Sequence, residues 1–217
     1  MAWLKDGCVL WLQFDEEKGD VAYDQSGEGN NGDIHGATRV KGKIGSALSF
    51  DGKDDYVEIL RDTSLEPNRI TVAFWAQVNA FGVLLAKRQL ASPSSRGYLF
   101  YGGGSTEIHF RVYNSGGVAR GAVGPVLSAN TWYHIVGVYD GVNVILYVNT
   151  IKYLGDAMTG DILHSLESLL IGAQHYTGTI NVFLNGVVDE VRIYNRVFSA
   201  REIFSHYMYA LTHVKRV

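Results

Sequence analysis

The sequence holds a single cysteine, Cys8, so no disulfide can form within the chain. Cys8 lies in the run Gly-Cys-Val-Leu-Trp-Leu, where a lone thiol reads as a small buried hydrophobe. Prolines are also scarce, 3 against 25 glycines in 217 residues. No apolar stretch approaches the roughly 20 residues that carry a helix across a bilayer. At the start of the chain, Lys5 and Asp6 precede only a short apolar run with no small-residue cleavage site, so no signal peptide is read there. The net charge is −3, and no basic run is interleaved with aromatics, which argues against nucleic acid as a partner. His213, Lys215 and Arg216 read as a solvated tail. The seven histidines show neither His-x-x-x-His nor Cys/His spacing, so no transition-metal signature is present.

What is present points to β-structure. Apolar residues make up 47% and aromatics 12%, enough for a sizeable core. Apolar runs and alternations predict strands at 9–14, 47–50, 56–59, 70–78, 83–86 and 98–101, then at 108–113, 133–139, 143–148, 169–171 and 186–194. Gly-rich turns separate them. Asp140-Gly141 is a hairpin signal, and Gly102-Gly-Gly104 reads as a turn. Residues 15–36 read as a long polar loop, which a compact domain must hold in place somehow. Ser199-Ala-Arg-Glu202 is a capping box opening a helix, with Ile203, Phe204, Tyr207 and Leu211 expected on one face. No linker or internal repeat stands out, so residues 1–217 read as one domain. These patterns specify an all-β sandwich or barrel with a short C-terminal helix.

Three stretches carry a resemblance. They are Leu48-Ser-Phe-Asp-Gly-Lys-Asp-Asp-Tyr-Val-Glu58, Asn130-Thr-Trp-Tyr-His-Ile-Val-Gly-Val-Tyr-Asp-Gly141 with Leu146-Tyr-Val-Asn149, and Phe183-Leu-Asn-Gly-Val-Val-Asp-Glu-Val-Arg-Ile-Tyr-Asn-Arg196 with Phe198-Ser-Ala-Arg-Glu-Ile203. In this order they resemble the laminin-G-like, concanavalin A-like lectin/glucanase family. The resemblance implies a two-sheet antiparallel jelly-roll sandwich, one sheet bent to give a concave face. It also implies an extracellular or cell-surface setting. One departure is Asn149-Thr150, where the family usually has Asn-Gly. Thr resists the positive φ of a type I′ turn, so a different or longer turn is expected there.

Strict alternation along 187–194 places Asp189 with Val191 and Ile193 on an apolar face, where a carboxylate needs a partner. Asp15 ends an apolar strand in the same way. In the family these regions meet around a structural Ca²⁺, so the resemblance implies Asp189 and Asp15 as metal ligands, with the Asp51–Asp55 turn as a contributor. An ion pair with Lys43 or Arg192, or hydrogen bonds to turn amides, are the alternatives. His134 reads as a satisfied strand residue.

No Glu-x-Asp-x-x-Glu run, which would place hydrolase carboxylates on one strand face, occurs here. Glu107-Ile-His-Phe-Arg111 presents Glu, His and Arg on one face, as a lyase would use, without the wider lyase motifs. The favoured reading is therefore a non-catalytic, carbohydrate-binding (lectin-like) module. Its candidate ligand residues are Glu107, His109, Arg111 and Tyr113 on one strand face, Trp75 and Lys87 from nearby strands, and His175 and Tyr176 from a following loop. The alternatives are a protein-interaction or surface/virion architectural module, or a polysaccharide hydrolase or lyase of the same fold.

Overall fold

The computed structural model describes residues 4–90, 95–102 and 107–212. Gly103, Gly104, His213, Lys215 and Arg216, read above as turn and tail, lie outside the described residues. The first third of the chain forms β1 (Cys8–Leu12), β2 (Val21–Ala22), β3 (Gly32–His35), β4 (Thr38–Lys41), β5 (Ser46–Asp51) and β6 (Tyr56–Ile59). There follow β7 (Ile70–Val78), β8 (Val83–Leu90), β9 (Arg96–Gly102), β10 (Glu107–Tyr113), β11 (Ala119–Val126) and β12 (Tyr133–Tyr139). The last third holds β13 (Asn143–Val148), β14 (Ile151–Ala157), β15 (Leu169–Ile171), β16 (Gln174–Tyr176), β17 (Thr179–Asn181), β18 (Asn185–Tyr194) and helix α1 (Ala200–Thr212).

The strands make two sheets. The first runs β14-β13-β12-β7-β18-β5-β4, with β1 also on β18; the second runs β11-β10-β9-β8-β15-β6-β3-β2. The pairings are antiparallel except for β16, which meets β8 in parallel and turns back through β17. This is the expected two-sheet jelly-roll sandwich with one C-terminal helix. The facing sides bury a continuous core in which Phe100 stacks on Phe110 at 4.5 Å and meets Phe74 edge-on at 5.0 Å. Gly137 on β12 makes room for them, since a Cβ there would fall 2.4 Å from Phe100 Cζ.

The segment expected as loop carries β2 and β3, and one carboxylate ties down the rest. Asp24 Oδ1 accepts from Trp11 N and Ser26 N, both at 2.9 Å, while Oδ2 accepts from Ser26 Oγ at 2.7 Å and Asn30 N at 3.0 Å. These strands escaped notice because they are too short to show a period.

The β13–β14 hairpin corrects the expectation of a longer turn. Val148 pairs with Ile151, so Asn149-Thr150 is a two-residue turn, with φ of +47° and +74°. Asn149 secures it, accepting from His134 N through Oδ1 and donating its own N–H to His134 O, each at 2.9 Å. The strain on Thr150 is thus held by ties to the neighbouring strand.

The capping box forms as read. Ser199 Oγ accepts from Glu202 N at 3.3 Å, and Glu202 Oε2 accepts from Ser199 N at 2.8 Å. The buried helical face is different, however. Ile203, His206 and Ala210 are buried, with Tyr207 beside them, whereas Phe204 and Leu211 are exposed. Histidine and alanine hold these positions because α1 lies over polar as well as apolar groups.

Candidate functional site

The outer side of the first sheet is covered by α1. Strand β18 carries an irregularity between Asp189 and Arg192, with Glu190 at φ +52°. The extra residue changes the alternation: Val188, Val191 and Ile193 point into the core, while Asp189 stands opposite Trp75 and Arg192 opposite Ala73 on the outer side. Asp189 therefore does not share a face with Val191 and Ile193. Arg192 is fully buried. It donates to Glu190 Oε2 and to His206 Nε2, and its guanidinium lies 4.3 Å from the Trp11 ring. Since arginine can only donate, His206 carries its proton on Nδ1 and gives it to His134 Nε2 at 2.8 Å. Burial, then the charge of Arg192, holds both imidazoles below their usual range, His134 down to about 3.

Trp75, expected at a ligand face, belongs to this layer. It is 2% exposed, stacked on Tyr207 at 5.5 Å and capped by Lys43 Nζ at 4.6 Å. Lys87 also stands elsewhere than expected. It is 1% exposed and bonded to Ser165 O, Glu167 O and Glu66 Oε1, each at 3.2 Å. A shift between Val83 and Leu85 again alters the alternation, sending Lys87 inward and its neighbour Arg88 outward.

Among the described residues no helix lies over the outer side of the second sheet, which holds two adjoining depressions. One, of about 190 Å³, has apolar walls of Phe81, Val83, Leu99 and Val182. Its polar lining is Arg88, Arg111, Tyr101, Tyr113 and Gln174. The other, of about 430 Å³, shares Tyr101 and Arg111 and adds His109, Arg120 and Asp156. Arg88 lies 5.5 Å from the Tyr113 ring, Arg111 lies 5.5 Å from the Tyr101 ring, and Tyr101 stacks on His109 at 4.7 Å. Glu107 Oε2 is 3.9 Å from His109 Nε2, and burial lowers the His109 pKa.

The structure thus gathers His109, Arg111 and Tyr113, with Glu107 alongside. It does not bring in His175, whose Nδ1 lies 3.9 Å from Glu167, or Tyr176, which is exposed on the β16–β17 hairpin. Sequence reasoning missed Arg88, Tyr101 and Gln174. Tyr101 lay in an expected strand and needed only its cross-strand partner, His109.

Two acidic groups bear on a metal. Asp15 and Asp189 grip the same Gly-rich loop: Asp15 Oδ1 accepts from Ser46 N at 2.8 Å and Asp189 Oδ2 from Ile44 N at 2.9 Å. Side chains at Gly42 or Gly45 would collide with these carboxylates. Neither expected ion pair of Asp189 forms, since Lys43 covers Trp75 and Arg192 pairs with Glu190. Asp189 Oδ1 is buried without a hydrogen-bond partner, and burial raises the pKa to about 8. On the surface, Asp51, Asp54 and Asp55 bring oxygens within 4.8 Å of one another, a cluster able to chelate a cation. Lys53 already pairs with Asp51 there, at 3.1 Å.

A family model described as the concanavalin A-like lectin/glucanases superfamily, of the laminin G type, matches residues 51–204. The chain belongs to this superfamily. Comparison with curated proteins gives no match. Among solved structures, the binding domain of Paraclostridial Mosquitocidal Protein 1 superposes on this laminin-G chain with a TM-score of 0.76 at 16% identity, over 94% of this chain and 52% of that one. A Trypanosoma rangeli sialidase in complex with sialic acid gives 0.74 at 18% identity, over 97% and 34%. The receptor binding domain of a botulinum neurotoxin C/D mosaic serotype gives 0.71 at 11% identity, over 94% and 51%. At these identities the likeness is one of fold. This chain spans about half the length of the two binding-domain structures and about a third of the sialidase. The fold therefore occurs both within an enzyme and in binding domains. No helix among the described residues is long and apolar enough to cross a membrane.

Proposed function

We propose that this chain is a non-catalytic binding module that holds a carbohydrate on the open side of its second sheet. The observation that carries the reading is the pair of adjoining depressions joined by Tyr101 and Arg111. Aromatic rings suit the C–H faces of sugars, and Gln174 and the arginines offer donors to hydroxyls. An extracellular or cell-surface setting suits this role. The test is a glycan array at high protein concentration, paired with product analysis on the polysaccharides bound. Binding without cleavage is expected. Silence on glycans together with capture of a protein partner would replace the reading with an interaction module. Release of unsaturated products would favour a lyase, for which the aligned Glu107, His109 and Arg111 are the specific observation.

We further propose a structural calcium ion at Asp15 and Asp189. The all-oxygen donor set and the orphaned Asp189 Oδ1 fit a hard cation. Such an ion would neutralise a buried carboxylate and fasten the loop between β4 and β5. Calcium is expected to raise the melting temperature of the wild type relative to chelator, and to leave Asp189→Asn unchanged. Equal wild-type melting curves, with no metal in the purified protein, would overturn this.

A further inference from the structure

The open face carries an imbalance of charge. Arg88, Arg111 and Arg120 line the two depressions, and none makes an ion pair with a carboxylate among the described residues. The smaller depression has no acidic residue in its lining, and the larger has Asp156 alone. Yet the chain as a whole is acidic. Elsewhere most arginines are matched, Arg39 with Glu16, Arg61 with Glu66, Arg69 with Asp161, Arg192 with Glu190 and Arg196 with Glu202, while Arg96 and Arg201 lie apart from the depressions without an ion pair among the described residues.

Arg88 and Arg111 are also held in place without being neutralised. Each lies near a tyrosine ring, and Arg88 additionally donates to the neutral Gln174 Oε1 at 2.7 Å. A guanidinium supported on an aromatic ring keeps its planar fork of N–H donors, which matches the paired oxygens of a carboxylate or sulfate. The apolar walls around it lower the local dielectric and strengthen such a contact.

We infer that this face selects an anionic saccharide, with the Arg88 and Arg111 guanidiniums receiving a carboxylate or sulfate ester while Tyr101 and Tyr113 flank the sugar. The inference rests on the carbohydrate reading above and adds the charge class of the ligand. A uronic or sialic acid carboxylate and a sulfate ester share the chemistry, so the probes must separate them.

Isothermal titration would use matched pairs: a galacturonate trisaccharide against its methyl ester, sialyllactose against lactose, and a chondroitin sulfate tetrasaccharide against its desulfated form. At least one anionic member should bind about tenfold or more tightly than its neutral twin, as charged hydrogen bonds outweigh neutral ones. Which pair shows the gap identifies carboxylate or sulfate. Arg111→Gln and Arg88→Gln should each remove most of the gap, and Arg111→Lys should restore only part of it, since a point charge lacks the fork. Circular dichroism and melting curves would establish that the variants are folded. Equal binding within every pair would overturn the anionic preference and leave the carbohydrate reading standing. An unchanged gap in folded Arg88→Gln and Arg111→Gln would overturn the assigned residues. No binding by any probe, alongside silence of the glycan array, would overturn both readings.

Discussion

The two outer sides of the sandwich treat arginine in opposite ways. Beneath α1, Arg192 is fully buried and its charge is met from within by Glu190, with His206 and the ring of Trp11 beside it, although its Nε has no partner. On the other sheet, Arg88 and Arg111 are half-buried, braced by tyrosines, and lack any acidic partner among the described residues. The first arrangement closes on itself and serves to dock a helix. The second leaves its positive charge unmatched. A buried cation is thus no sign of a site until its counter-charges are counted.

Removing one partner from the closed side should have the largest effect. Arg192→Met strands Glu190 in a buried position and should lower the unfolding free energy by about 3–5 kcal/mol, read by urea denaturation. The double variant Arg192→Met/Glu190→Gln should recover part of this. On the open side, Arg111→Met should change stability by no more than about 0.5 kcal/mol. Similar losses in both would erase the distinction between the faces.

A second test uses acid. Both His134 and His206 have depressed folded-state pKa values, from burial and the Arg192 charge. A depressed value means stability is present above the unfolded pKa of 6.5 and is lost as pH falls toward about 3. Trp75, which contacts His134 and Tyr207, should report it as a change in fluorescence below pH 6.5. Replacing both histidines with Gln should flatten the slope. A stabilising change lies at the edge of the covered side. Thr150→Gly relieves a positive φ and should stabilise the fold by about 1 kcal/mol without altering the acid profile, measured by denaturation at several pH values.

Much of this architecture was legible in the residues, because strand period and turn chemistry are local. The strands at 56–59, 70–78, 133–139 and 143–148 stand where alternation placed them. So does the Ser199–Glu202 cap. The candidate site was legible only where the alternation is unbroken. Along β10 it is unbroken over its exposed side, and His109, Arg111 and Tyr113 point outward together. Along β8 and β18 single irregularities reversed it, and Lys87 and Asp189 moved to the opposite side. Such a bulge depends on the neighbouring strand, so a pattern read along one strand does not reveal it. Helix α1 hid Trp75 for the same reason: burial there comes from a segment over 120 residues away.

Among the described residues, the β16–β17 hairpin pairs with β8 at His175 with Gln89 and Tyr176 with Leu90. Through Gln174 and Val182 it and the turn beyond it form one wall of the smaller depression. Bonds from Arg88 to Gln174 Oε1 and from Val83 N to Val182 O secure the base of this wall, so its tip can vary in length while the sheets beneath keep their register. For protein engineering, this makes the hairpin tip a natural place to reshape the depression, with Gln174 kept because it holds Arg88.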